Sequence, residues 1–149
     1  MPTTEIKLNM DLRVAPNGTK SVATDQPDKA AALHPNDSLI VEMRSNWPTG
    51  AYVQKIEFFT DQSEQNAFAT WQNTETQPVA ISRDRVQRFS VQPNTSGQSR
   101  PTSVKITDVE TVSSDDDYWY KVYMSDGAVL DPELINKTGQ GGAGWVDKE

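Results

Sequence analysis

A chain of 149 residues with 35% hydrophobic content is enough for one domain, and at this size folding buries about 68–70% of the unfolded surface without a disulfide or metal to help. Cysteine is absent, which excludes thiol catalysis, disulfide bonds and cysteine-ligated zinc. The formal net charge is −7, and the only basic cluster, Arg83, Arg85 and Arg88, is interleaved with Asp84 and reads as a solvated strand edge, which argues against a surface that tracks nucleic-acid phosphates.

The first residues, MPTTEIKLNMDLR, lack the apolar stretch of a secretory signal. No run reaches the roughly 18 apolar residues of a membrane span. The expectation is a cytoplasmic protein with no membrane span, with export by a signal-independent route left open. From Glu5 to Val14 the chain alternates, with Ile6, Leu8, Met10, Leu12 and Val14 on one side and charged or amide residues on the other. This predicts a strand with one buried and one wet face, the pattern of antiparallel sheets. Pro16-Asn17-Gly18 ends it with turn chemistry. Residues 19–37 read as polar loop, within which Asp25 and Pro27 are placed to start a short helix through Lys29-Ala30-Ala31-Ala32-Leu33.

Ser38–Arg44 and Ala51–Phe59 are two further predicted strands, separated by the turn residues Asn46-Trp47-Pro48-Thr49-Gly50. Asp61–Trp71 stays open between two readings. Asp61 and Glu64 have capping-box spacing, and Ala67, Phe68 and Trp71 share a helical face, which gives one or two helical turns; a loop with a short strand fits as well. Pro78–Ile81, Arg85–Val91 and Ser103–Val112 read as strands. The firmest element is 117–135, DYWYKVYMSDGAVLDPELI. Tyr118, Tyr120, Val122 and Met124 alternate with Trp119, Lys121, Tyr123 and Ser125, and Asp126-Gly127 predicts a two-residue type I′ turn. That register sets Met124 opposite Val129 and Tyr123 opposite Leu130, and Asp131-Pro132 then weakens or stops the return strand. Residues 137–149 read as a Gly-rich, linker-like tail in which Trp145 and Val146 are out of place. The chain thus divides into one domain, 1–136, and a tail.

Seven to nine strands at short spacing predict an all-β fold, an antiparallel β-sandwich before a closed barrel. On Tyr118-x-Tyr120-x-Val122, the Asp126-Gly127 turn and Asp131-Pro132, the chain resembles the immunoglobulin-like and fibronectin-III-like β-sandwich accessory domains of bacteria. The resemblance is specific over roughly the last 35 residues and elsewhere is one of strand count, and it lacks the cysteine–tryptophan–cysteine core of antibody domains. It implies an immunoglobulin-like architecture and no activity, because function lies in sites added to folds.

The candidate sites follow from the hairpin. Trp119, Lys121, Tyr123 and Leu130 fall on the face away from the better core, and adjacent aromatics on one face mark a binding surface unless the Trp145 tail, another copy or a partner covers them. Trp47, Trp71 and Trp119 are candidates for stacking on sugar rings. Asp115, Asp116, Asp117 and Asp131 are weak Ca²⁺ candidates whose spacing does not fit an EF-hand, so no metal site and no cofactor is expected. The sole histidine, His34, precedes Pro35, and no Gly-x-Ser-x-Gly is present, so a serine–histidine hydrolase is unsupported. A hydrolase with two carboxyls about 5–9.5 Å apart is the third reading, behind a carbohydrate-binding module. The first is a non-enzymatic interaction or structural module that binds a protein partner or itself.

Overall fold

The computed structural model describes residues 4–60, Ser63, Ala67, 69–72, 79–82, 89–94, 100–109, 116–137 and 142–147. Within them the chain forms β1 (Glu5–Val14), β2 (Lys20–Thr24), β3 (Lys29–Leu33), β4 (Ser38–Ser45), β5 (Val53–Phe59), β6 (Ala69–Gln72) and β7 (Val79–Ser82). It continues with β8 (Phe89–Pro93), β9 (Ser103–Asp108), β10 (Asp116–Met124), β11 (Val129–Leu130), β12 (Glu133–Asn136) and β13 (Gly144–Asp147). Among the described residues there is no helix, and none long and apolar enough to cross a membrane.

The strands make a five-stranded sheet, β2-β1-β4-β9-β8, and an eight-stranded sheet, β13-β3-β12-β10-β5-β6-β7 with β11 also on β10. Both sheets are open, and their inner faces share one core, so the fold is a β-sandwich. Leu8, Met10 and Leu12 of β1, Leu39 and Val41 of β4, and Ile106 of β9 meet Ile56 and Phe58 of β5, Tyr120 and Val122 of β10, and Leu134 of β12. Three aromatic rings anchor the middle: Phe58 stacks on Phe89 at 5.0 Å, and Tyr118 meets Phe89 edge-on at 5.2 Å. Val14 does not join the alternation of β1; it lies at the hairpin end, opposite Lys20, and is 59% exposed.

Four expectations are corrected. The sandwich has thirteen described strands and not seven to nine. Its ladders are mostly antiparallel, but β1 pairs with β4, and β12 with β3, in parallel. Lys29–Leu33 is a strand and not a helix. Five residues fix too few hydrogen bonds to repay helix nucleation, whereas as β3 they pair with β12 on one edge and β13 on the other. Ala31 and Leu33 then reach the core, while Ala30 and Ala32 pack with Ile135 and Val146 on the opposite face. The linker reading fails for Gly144–Asp147, which are β13, paired antiparallel with β3. Most of the ambiguous 61–71 piece and the cluster Arg83, Arg85 and Arg88 lie outside the described residues. The end of that piece, from Ala69, is strand β6.

The hairpin register also differs by one residue. Gly127 N–H donates to Met124 O at 3.0 Å and Met124 N–H to Ala128 O at 2.9 Å. Tyr123 therefore faces Val129, and Val122 faces Leu130. Gly127 alone in the turn has positive φ, at 98°, because Asp126 Oδ1 accepts the Ala128 N–H at 3.2 Å and holds the turn without a second left-handed residue. This is a three-residue loop ending on a left-handed glycine. A one-residue slip exchanges the faces of everything after the turn.

Candidate binding cleft

The slip breaks the expected apolar strip. Leu130 and Leu134 lie on the core side, opposite Val122 and Tyr118, and it is Glu133 that stands opposite Trp119. Trp119, Lys121 and Tyr123 do share the outer face of β10, all half-buried, beside Phe59, Glu57 and Lys55 of β5. Polar contacts occupy much of that face. Tyr123 Oη donates to Glu57 Oε1 at 2.5 Å, Lys55 Nζ sits 4.4 Å from the Tyr123 ring centre, and Lys121 Nζ lies 5.7 Å from that of Phe59. β13 does not cover it, because β3 and β12 separate β13 from β10.

The tryptophans proposed as sugar platforms are placed differently. Trp71 is fully buried in the core and presents no ring face to solvent. Trp47 is half-buried against the core and donates its indole N–H to Met10 O at 2.9 Å. The acidic candidates do not converge either. Asp116 and Asp117 are neighbours on a strand and so point to opposite sides of the sheet. Asp131 would fall opposite Lys121 in the same register, four residues along the ladder from Ile135, the partner of Asp117, or about 13 Å at ~3.3 Å per residue. Asp115 is outside the described residues. Among the described residues no three histidine or carboxylate groups are gathered as a metal would need.

What the fold does build is a cleft of about 510 Å³ at one edge of the sandwich, between β2 of one sheet and the β11–β12 run of the other. Leu8, Val22, Tyr120, Leu130 and Trp145 give it an apolar floor, and Thr24, Gln26, Lys29, Asp131 and Glu133 a polar rim. The register slip is what turns Leu130 into it. One end is closed by Lys20, whose Nζ donates to Asp126 O at 2.9 Å and to Asp126 Oδ2 at 3.3 Å, joining the two sheets. Toward the other, Lys29 is ion-paired with Asp147 of β13. Hydrogen bonding to Lys29, and then its charge, hold the Asp147 carboxyl below its ordinary range. Burial pushes the Tyr120 phenol far up, so it stays a neutral hydroxyl at the cleft floor.

Both walls end in unpaired backbone. Ala15 N–H donates to Thr19 O at 2.9 Å, which sets the phase of the β1–β2 ladder. Hydrogen-bonded and non-bonded pairs alternate along antiparallel strands, so Ser21 and Ala23 bond to β1 while Val22 and Thr24 turn their N–H and C=O groups to the outer edge. Among the described residues β2 has no neighbour other than β1. On the facing wall Tyr120 N–H donates to Pro132 O at 3.0 Å. The same alternation turns the backbone of Val129 and Asp131 away from β10, and β3 begins only opposite Leu134.

No protein-family model matches this chain, and no curated protein matches its sequence.

Sequence reasoning named Leu130 and Asp131 but for other roles, and it missed β2, Tyr120, Glu133 and Trp145 as cleft residues. Trp145 carried the one available signal, a large aromatic among glycines. β2 carried almost none, since Val22 is its single large apolar residue.

Proposed function

We propose that the protein is a non-enzymatic interaction module, an immunoglobulin-like sandwich that holds a segment of a partner protein in the cleft between β2 and β11. The observation that carries this reading is an apolar floor lying between two strand edges whose backbone groups have no partner among the described residues. Exposed strand edges are templates for another chain, and proteins usually blunt them with proline, charge or a covering loop. β8, an outer strand of the same sheet, ends on Pro93, whereas β2 has no proline and its one lysine is engaged with Asp126. The test is selection of displayed random peptides on the protein and on Val22→Arg, which plants a charge in the cleft at a half-buried edge position. Peptides that bind the protein and lose about tenfold or more on the variant support the reading, a change of roughly 1.4 kcal/mol. Selection that returns no peptide, or peptides indifferent to Val22→Arg, refutes it.

A carbohydrate-binding reading draws on one specific observation, that the half-buried Trp145 lines the same cleft as Gln26 and Asp131. Glycan-array ligands whose binding falls with Trp145→Ala would favour it over a peptide.

A further inference from the structure

The cleft also constrains the shape of its occupant. Resting on the interaction reading above, we propose that the partner segment enters as an extended β-strand added to the free edge of β2, with aliphatic side chains at alternate positions over the cleft floor.

Two features of the site lead there. The first is length and backbone chemistry. β2 runs five residues, Lys20–Thr24, an edge of about 17 Å at ~3.4 Å per residue. Along it Val22 and Thr24 each offer one N–H and one C=O outward, which an added strand takes up as a ladder. The second is the floor. A strand laid along β2 turns alternate side chains inward, over Val22, Leu8 and Leu130, and those positions call for aliphatic residues; the positions between them face solvent.

The probe is a capped heptapeptide, Thr-Val-Lys-Val-Thr-Val-Lys, added to the full chain at up to about millimolar concentration, in the range of a weak peptide site. Amide hydrogen exchange is read at Val22 and Thr24, and affinity from tryptophan fluorescence. The expected result is a rise of about tenfold or more in protection at those two amides. A version with the three valines replaced by serine should bind at least about tenfold more weakly, because it leaves the apolar floor uncovered. Binding sensitive to Val22→Arg but without added protection at Val22 and Thr24 overturns strand addition and leaves the interaction reading intact. An unchanged affinity of the serine version overturns the role given to the floor. Protection already high without peptide, with a doubled mass by light scattering, means that a second copy occupies the edge and overturns the assignment of a foreign strand. Failure of this peptide to protect either amide overturns strand addition, and failure of every selected peptide to depend on Val22 removes the interaction reading too.

Discussion

Gly127→Ala tests the turn on which the cleft depends. Gly127 has a φ of 98°, and a Cβ built there meets nothing within 4 Å, so the whole cost of the substitution is intrinsic to the backbone. Forcing an L-residue into the left-handed region costs roughly 1–2 kcal/mol. Alanine recovers about 0.4–1 kcal/mol by restricting the unfolded chain, which leaves a net loss near 1 kcal/mol. For a chain of this length that lowers Tm by about 2–4 °C. Gly127→Asn should lose less, because asparagine visits the left-handed region more readily. Urea and thermal unfolding of the three proteins measure this, and NOEs between Val122 and Leu130 in the parent protein report the register. A neutral Gly127→Ala would mean that the glycine is not held left-handed. A loss above about 4 kcal/mol would mean that something collides with the new methyl group. NOEs linking Tyr123 to Leu130 would restore the two-residue turn and take Leu130 out of the cleft.

Leu8 is 3% exposed on the inner face of β1, and Leu8→Ala should cost about 2–5 kcal/mol by urea unfolding, against less than about 0.5 kcal/mol for its outward neighbour Lys7→Ala. Tyr120 adds an alkaline limit. Its phenol is raised above the ordinary value of 10.0 by burial, so above about pH 10 the unfolded chain releases a proton that the folded chain keeps. Stability should be insensitive to this group below pH 10 and fall as pH rises beyond it, and Tyr120→Phe should remove that one-proton share of the slope in a urea series from pH 8 to about 11.5. Calcium and a chelator should give superimposable melts, because Asp116, Asp117 and Asp131 are spread along a ladder. Calcium bound at a hundredfold excess over its Kd would add about 2.7 kcal/mol, and a shift that large would overturn the expectation.

The long alternating runs were legible because each fixes its own faces. Leu8, Met10 and Leu12 needed no knowledge of their neighbours, nor did Tyr118, Tyr120, Val122 and Met124. The turn after Met124 was not, because Asp-Gly suits both a two-residue and a three-residue loop, and the choice here goes with a side-chain bond from Asp126. β3 was misread since alanine favours helices in isolation, and the two strands that flank it come from a hundred or so residues later in the chain. The cleft was invisible for a related reason. Its walls, near Val22 and Leu130, are brought together only by the stacking of two sheets.

The place of β3 between β12 and β13 also constrains how the chain is made. Both of its neighbours are synthesised a hundred or so residues after it. At 5–20 residues per second, roughly 6 to 23 s separate the appearance of Leu33 from that of Asp147, and for most of that time β3 has two bare edges on a nascent chain. A run of valine or isoleucine there would be a ready seed for intermolecular pairing. Lys29-Ala30-Ala31-Ala32-Leu33 is a poor one, because alanine pairs weakly as an isolated strand and the segment begins on a charge. The same alanines pack without strain once Trp145 and Val146 arrive. A β3 of low intrinsic strand preference is therefore a weak seed while it waits, and this part of the sheet closes only when β12 and β13 reach it.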